Sequence, residues 1–199
     1  MQNAEQKSRN IAVYCASSTQ LQPKYYEAAA RVGELIGRRG ATLINGAGNM
    51  GLMQASADAC LAVGGRAIGI IPTFMIEQDW HHRGMTELIE THDMSERKLK
   101  IQQMSDASII LPGGCGTMDE MFELITLKQL GIHLGPIVIL NLDGFYDHLL
   151  AQLDVMMAEN FMRDIHRDIW RVASSADEAV ALAFSTPDWD GSIRRFAKI

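Results

Sequence analysis

The chain of 199 residues is 47% apolar and 21% charged with a formal charge of −6, a composition typical of one globular domain with a sizeable core. The acidic balance argues against a nucleic-acid surface, and no apolar run approaches the roughly 18 residues of a membrane span. The polar N-terminus MQNAEQKSRN lacks the apolar segment of a signal peptide. Three widely spaced cysteines without a C-x-x-C pair (Cys15, Cys60, Cys115) predict reduced thiols in a cytoplasmic protein.

The first half of the chain alternates short apolar runs with glycine-rich turns and amphipathic helices. IAVYCA at residues 11–16 predicts a buried strand, and Pro23 is typical of the first position of a helix that ends before Gly40. The next predicted elements are a strand at 41–44, a helix from about Leu52 to Val63, a strand at 66–72, a polar loop at 73–85 and a weaker strand at 86–91.

The same alternation continues to the C-terminus. The predicted elements are a helix at about 95–104, a strand at 108–111, a helix from Thr117 to Leu130, a strand at 136–142, a helix at 145–160, a short strand at 170–174 and a helix at 176–185. Continuous apolar strands between helices indicate a parallel sheet covered on both faces. We expect a single doubly wound, Rossmann-like α/β domain over residues 1–199, with about seven mostly parallel strands and a ligand at their carboxyl ends.

The first glycine-rich loop is NGAGNMG at residues 45–51, where Gly46, Gly48 and Gly51 satisfy G-x-G-x-x-G between a strand and a helix. The dinucleotide fingerprint also needs an acid at the end of the next strand, but no acid follows until Glu77, which weakens an NAD-binding interpretation. Two interpretations stay open for this loop. Its backbone N–H groups receive a phosphate, or the glycines only make a tight turn.

The second loop is LPGGCGTMDE at residues 111–120. Its glycines (Gly113, Gly114, Gly116) free backbone N–H groups for an anion, and Thr117 adds a hydroxyl at the start of a helix. No G-K-[ST] follows, so the loop is not a Walker P-loop. The structural alternative is a capping box, with Thr117 at the N-cap and Glu120 at the third helical position.

The segment DMSERKLK at residues 93–100 begins a helix that Asp93 or Ser95 can cap. Arg97 and Lys98 then lie in or near its first turn, where cations oppose the helix dipole. An anion held nearby would remove this conflict.

Other reactive residue types have plainer interpretations. Cys115 has no histidine near it in sequence and is interpreted as a small tolerated residue, and His81-His82 lacks the spacing of a helical metal pair and is expected in a solvated loop. The lysines that a Schiff base would need lack any sign of a pyridoxal site; they are Lys98, Lys100 and Lys128.

Taken together, three segments resemble one family. PGGCGTMDE matches the P-G-G-x-G-T-x-x-E motif of the Lonely Guy (LOG) family, the cytokinin riboside 5′-monophosphate phosphoribohydrolases. NGAGNMGLM resembles the G-G-G-x-x-G-L-M loop of that family, and MSERK resembles its M-x-x-R-K segment. The likeness runs from about residue 10 to 150, and many relatives carry a lysine decarboxylase label.

The resemblance implies hydrolysis of the N-glycosidic bond of a nucleoside 5′-monophosphate, with Arg97 and Glu120 as the catalytic pair. The glycines of both loops, Thr117 and Lys98 would bind the substrate, with no metal or organic cofactor. A dimer or larger homo-oligomer with sites close to the subunit interface is also implied, without a nucleic-acid or membrane partner. Asn45 and Ala47 depart from the glycine-rich pattern of the family, and the Ala47 methyl group is expected to affect the fit of the nucleotide.

Three rival functions remain at this stage. Related α/β folds include molybdenum-cofactor carriers, so a non-catalytic nucleotide or cofactor carrier is the main alternative. Such a carrier needs the glycines but not the pair Arg97 and Glu120. An NAD-dependent oxidoreductase is disfavoured by the missing acid, and a purely structural domain leaves two adjacent glycine loops unexplained.

For the chemistry itself, an ionised carboxylate beneath the sugar would stabilise the positive charge that develops when the C1′–N bond breaks. The N-terminal end of the helix is expected to favour the ionised form of Glu120. The group that protonates the leaving base is not evident, and Asp119 is only a weak candidate.

Overall fold

The computed structural model of the chain describes residues 9–192; the polar N-terminal stretch before Arg9 and the end of the tail PDWDGSIRRFAKI lie outside the described residues. All seven strands run parallel in one sheet, in the order β4-β3-β2-β1-β5-β6-β7. The strands are β1 (Asn10–Tyr14), β2 (Thr42–Asn45), β3 (Arg66–Pro72), β4 (Glu87–Thr91), β5 (Ala107–Ile110), β6 (Ile137–Leu140) and β7 (Trp170–Ala173). This arrangement confirms the predicted doubly wound α/β fold.

Seven α-helices cover the sheet in the described part of the chain: α1 (Pro23–Arg38), α2 (Gly51–Ala62), α3 (Thr73–Glu77), α4 (Met94–Met104), α5 (Cys115–Gln129), α6 (Asp147–Ala158) and α7 (Ala176–Ser185). Within residues 9–192, no helix combines the length and apolarity needed to span a bilayer.

The core consists of two layers, one on each face of the sheet. On β1, Ile11 and Val13 point into the layer that α1, α2 and α7 cover, whereas Ala12 and Tyr14 point into the layer covered by α4, α5 and α6. This alternation follows from the two-residue period of a strand, and burial on both faces explains why the strands read as continuous apolar runs.

The strand order places β1 between β2 and β5. The helices that follow β1 and β2 cover one face of the sheet, and those that follow β4 and β5 cover the other. The loops at the carboxyl ends of β1 and β5 therefore diverge and leave a crevice, as expected at the switch point of a doubly wound sheet.

The segment at 73–85 differs from its prediction as a solvated polar loop. It contains the short helix α3, and His82 is buried, with its Nε2 atom 2.8 Å from Asp58 Oδ1 and its Nδ1 atom accepting from the Gly84 N–H. The tertiary contacts of this segment fix a conformation that its polar composition does not indicate.

Two further differences concern short elements near α6. The helix predicted from Phe145 begins at Asp147, because a short 3-10 helix at Leu142–Gly144 precedes it with Asp143 in the left-handed region (φ 49°). A second 3-10 helix, Asp164–Asp168, was not predicted.

Candidate functional site

A cavity of about 380 Å³ lies at the carboxyl ends of the central strands, where the fold predicts a ligand. Its wall combines the end of β1 and the loop that follows, the first glycine loop, α4 and the beginning of α5. The lining residues are Val13–Ser18, Gly46, Met53, Met75, Met94, Arg97, Gly114–Thr117, Asp119 and Glu120. A larger groove of about 490 Å³ lies near the start of β1 and the loop after α5, away from both glycine loops, so we assign the site to the smaller cavity.

Gly46 is the only glycine of the first loop that lines this cavity, and its missing side chain makes room for Arg97. The guanidinium Nη2 atom donates to the Gly46 carbonyl at 2.9 Å. A Cβ atom on residue 46 would lie 1.6 Å from that Nη2 atom. Any side chain at position 46 would therefore displace the guanidinium.

Gly51 has a different role and does not line the cavity. It begins α2 with a φ of +64°, and a Cβ atom there would lie 2.6 Å from the carbonyl carbon of Ser17. The adjacent Leu52 N–H donates to the Ala16 carbonyl at 2.9 Å. Gly51 thus lets the loops after β1 and β2 touch, while Gly48 packs against Met53.

Asn45 and Ala47 organise the first loop from within the protein. The Asn45 side chain donates to the Met53 carbonyl at 3.0 Å and accepts from the Ala47 N–H at 2.8 Å. Ala47 is fully buried in the left-handed region (φ 56°), and its methyl group faces Gly69 of β3. Ala47 does not line the cavity, so its methyl group has no direct contact there through which it could alter the nucleotide fit.

The second loop leads directly into α5, which begins two residues earlier than predicted. Gly114 is the N-cap and α5 starts at Cys115, so Thr117 lies inside the first turn and no side chain caps this helix. The alternative interpretation of this motif as a capping box is therefore wrong. The buried Thr117 side chain instead packs against Gly113, where a Cβ atom would lie 2.1 Å from Thr117 Oγ1.

The first turn of α5 presents free backbone donors to the cavity. The first hydrogen bond of the helix runs from the Met118 N–H to the Gly114 carbonyl, at 3.0 Å. The N–H groups of Cys115, Gly116 and Thr117 consequently have no helical acceptor. Because this turn lines the cavity, it offers an anion the positive end of the helix dipole.

Arg97 is held rigidly from the opposite side. Asp93 caps α4 by accepting from the Glu96 N–H at 2.9 Å, which places Arg97 at the end of the first helical turn. Its Nε atom donates to the Ile70 carbonyl at 3.0 Å, in addition to the bond to Gly46. Burial lowers the pKa of Arg97 and the nearby Glu120 raises it, and an arginine stays protonated in either environment.

Glu120 lies one turn into α5, half-buried at the cavity wall. Burial raises the pKa of its carboxyl group from 4.5 to about 7, although Arg97 lowers it; Asp119 adds to the increase and Lys98 opposes it. The sequence predicts that the helix N-terminus favours the ionised form of Glu120. That expectation is wrong, because desolvation raises the pKa of the carboxyl group more than the nearby positive charges lower it. Within the part of the chain that the structure describes, Glu120 makes no hydrogen bond or ion pair.

The structure brings most of the predicted site residues together, but not all of them. Arg97, Glu120, Gly46 and Thr117 line one cavity, as do Gly114 and Gly116. Gly48, Gly51 and Gly113 shape the loops from behind. Lys98 does not line the cavity; its ammonium group instead lies 2.9 Å from Asp119 and 3.2 Å from Glu123.

Several lining residues had not been identified from the sequence. The backbone and side chains of Ala16–Ser18 form one wall, and Met53, Met75 and Met94 form another. The sequence did carry a signal for the first wall, since a run of small polar residues directly follows the central strand. The methionines come from three separate helices, so only the tertiary fold brings them together.

The composition of the site gives no indication of a metal. Among residues 9–192, no group of three or more His, Cys, Asp or Glu side chains is arranged to hold one. Cys15 and Cys115 both line the cavity as free thiols, one buried and one exposed.

Comparison with solved structures supports the fold. A molybdenum-cofactor-binding protein from Rippkaea orientalis superposes with a TM-score of 0.69 at 23% identity, over 90% of this chain and 98% of that one. The molybdenum cofactor carrier protein of Chlamydomonas reinhardtii gives 0.68 at 18% identity, over 89% and 97%.

Sequence comparison identifies the family. The family model described as possible lysine decarboxylase matches residues 53–183. A probable cytokinin riboside 5′-monophosphate phosphoribohydrolase of Oryza sativa subsp. japonica is 38% identical over 176 residues, 88% of this chain and 78% of that protein. A cytokinin riboside 5′-monophosphate phosphoribohydrolase of Arabidopsis thaliana is 36% identical over 180 residues, 90% and 83% of the two chains. The chain therefore belongs to the LOG family, which carries the lysine decarboxylase description.

Proposed function

We propose that the chain is a nucleoside 5′-monophosphate phosphoribohydrolase. It would hydrolyse the N-glycosidic bond of AMP or a cytokinin riboside 5′-monophosphate to the free base and ribose 5-phosphate. The observation that carries the proposal is the placement of Arg97 and Glu120 on one cavity that also receives the N-terminal end of α5. The names of the relatives support the same reaction.

The first turn of α5 is the proposed phosphate site. The three free N–H groups of residues 115–117 and the dipole of the helix favour a dianion there. A phosphate is remote from the bond that breaks, so its binding energy orients the sugar over Glu120 rather than taking part in the chemistry.

Glu120 is the proposed base and electrostatic stabiliser. As the C1′–N bond breaks, the bonding electron pair leaves with the base and positive charge develops on the ribose. An ionised carboxylate next to the ribose stabilises that charge. Water then adds to C1′ and gives a proton to Glu120. The departing base takes a proton from solvent and Glu120 returns its proton to solvent, so that the neutral base is released and the carboxylate is regenerated. A pKa of about 7 suits this role, because a base works best when its pKa is near the working pH.

Arg97 is the proposed partner of Glu120. Its guanidinium is fixed by two backbone carbonyls, so its position does not depend on the carboxylate. The cation would stabilise the ionised form of Glu120 and the substrate oxygens near it. Its charge is the one that most opposes the effect of burial on Glu120.

A carrier of nucleotides or cofactors is the second candidate, because the solved structures of molybdenum-cofactor proteins share the fold. A likeness at this level of identity concerns the fold alone. The carrier function gives no role to a carboxyl group of raised pKa beside a fixed guanidinium. This pair is the reason that we prefer the hydrolase.

Chromatography of the free base tests the proposal directly. The purified protein is incubated with AMP, GMP, CMP and isopentenyladenine riboside 5′-monophosphate, and with the four matching nucleosides. We expect base release from at least one nucleotide and none from its nucleoside. Glu120→Gln should abolish release, whereas Glu159→Gln, at an exposed position after α6, should not. Nucleotide binding without release would favour the carrier instead.

Assembly and location also belong to the proposal. We infer a homodimer or larger homo-oligomer from the family resemblance, and light scattering coupled to size-exclusion chromatography measures it. We infer a cytoplasmic location from the three unpaired cysteines, which a reducing compartment keeps as thiols.

A further inference from the structure

Lys98 joins the two helices that carry the proposed catalytic pair. It follows Arg97 on α4, and its ammonium group lies 2.9 Å from Asp119 Oδ2 and 3.2 Å from Glu123 Oε2 on α5. These two carboxylates flank Glu120 in sequence, one residue before it and three residues after it. Lys98 and Glu120 also face the same narrow crevice beside the cavity, together with Tyr14.

We propose that Lys98 is a positioning residue, which ties α4 to α5 and screens Glu120 from the two carboxylates on either side of it. It would act through Glu120 without touching the substrate. This inference rests on the proposed function only for its effect on catalysis, since the contacts exist whatever the reaction is.

The exposure of the three partners argues against a purely stabilising role. The Lys98 side chain is only 18% exposed, but those of Asp119 and Glu123 are 62% and 43% exposed. Ion pairs with exposed carboxylates contribute little to stability. Lys98 is held by two exposed carboxylates and lies near the half-buried carboxyl group of Glu120. It therefore affects the ionisation of Glu120 more than the stability of the fold.

The charges around Glu120 come from every element packed against it. Arg97 and Lys98 face it from α4, Asp119 and Glu123 lie on its own helix, and the phenol of Tyr14 faces it from β1. The two cations favour the ionised carboxylate, and the two neighbouring carboxylates oppose it. Removing Lys98 would leave three adjacent carboxyl groups with Arg97 as the one facing cation among the described residues.

The test follows the ionisation of Glu120 directly, by NMR titration of carboxyl carbons, with its signal assigned by its absence in Glu120→Gln. In Lys98→Met, which removes a cation, the midpoint of the Glu120 titration should rise by about one pH unit. In Glu123→Gln, which removes a negative charge, the same midpoint should fall by a few tenths of a unit or more. Lys98→Arg, which keeps the charge, should restore the wild-type midpoint. Lys100→Met, which removes a cation from the same helix, is the matched control and should leave it unchanged.

The opposite directions of the two shifts separate a charge effect from damage to the fold, which would move both variants the same way. An unchanged midpoint in Lys98→Met, or a rise equal to that in Lys100→Met, would overturn the inference. The acidic limb of the pH–rate profile should move with each midpoint. At pH 7, kcat of Lys98→Met should fall about fivefold, because a rise of one unit from about 7 lowers the ionised fraction of Glu120 from about one half to about one tenth. If the midpoints move while no nucleotide is cleaved, the proposed function fails and the positioning role stands.

Discussion

Replacing Glu120 with glutamine should stabilise the protein while abolishing its activity. The folded state holds the Glu120 proton up to about pH 7, whereas the unfolded chain releases it near pH 4.5. Stability from this group is therefore lost as pH rises through that window, and the loss is complete above pH 7. At about 1.36 kcal/mol per pH unit the cost approaches roughly 3 kcal/mol, and partial contact with solvent reduces it to about 1–3 kcal/mol.

Urea unfolding of wild type and Glu120→Gln at several pH values measures this cost. The two proteins should be equally stable near pH 4, and the variant should be more stable by about 1–3 kcal/mol at pH 8. Activity should fall by a factor of about 100 or more, because glutamine can neither ionise nor accept a proton. The control Glu159→Gln should show neither effect.

Two results would refute this reasoning. If Glu120→Gln were less stable than wild type at pH 8, the ionised Glu120 carboxylate would have to stabilise the fold, and burial would not destabilise it. A variant with full activity would mean that the cavity uses another base.

Three further substitutions probe the surroundings of the site. Gly46→Ala should reduce kcat/KM about 100-fold and also lower stability, because the new Cβ atom, 1.6 Å from Nη2, displaces the Arg97 guanidinium from the two carbonyls that hold it. Steady-state kinetics and urea midpoints measure the two effects. Ala47→Gly should change the unfolding free energy by less than about 0.5 kcal/mol and leave activity intact, since relief of left-handed strain, about 1 kcal/mol, offsets one buried methyl group, about 0.8 kcal/mol. In wild type, burial lowers the pKa of Lys128 from 10.5 to about 8. Between these two pH values the unfolded chain binds a proton that the folded state has lost, so the free energy of unfolding should rise by up to about 3 kcal/mol from pH 8 to 10.5. Urea denaturation of Lys128→Met should not show this rise.

The sheet was predictable because its strands are unbroken apolar runs between glycine-rich turns. The strand at 66–72 was predicted at its observed limits, and the others to within one or two residues. The short helix α3 could not be predicted, since five residues carry too little periodicity to separate a helix from a polar loop. Tertiary contacts also set the exact ends of the other helices and strands, so the local sequence does not predict them to the residue.

Most of the residues predicted for the site do line the cavity, but their electrostatics could not be predicted from the sequence. The motif around Glu120 indicated a loop that does line the cavity. The sequence left its T-x-x-E pattern open between a catalytic acid and a capping box, and the structure excludes the cap because α5 begins at Cys115. The pKa of Glu120 was predicted in the wrong direction, because the sequence reveals a helix N-terminus but not how deeply the carboxyl group is buried. The ion pairs between Lys98 and α5 could not be predicted, because an ion pair across two helices leaves no trace in one segment.

The central position of β1 has a consequence for how the protein loses function. Arg97 donates to the Gly46 carbonyl just after β2 and to the Ile70 carbonyl within β3, whereas Glu120 belongs to the helix that follows β5. These two halves of the sheet are joined along the pairing of β1 with β5. A small parting of that seam would separate the two side chains while each half kept its own strands and helices. Catalysis should therefore disappear at lower urea concentrations than the far-ultraviolet circular dichroism, which makes activity the most sensitive indicator of an intact seam.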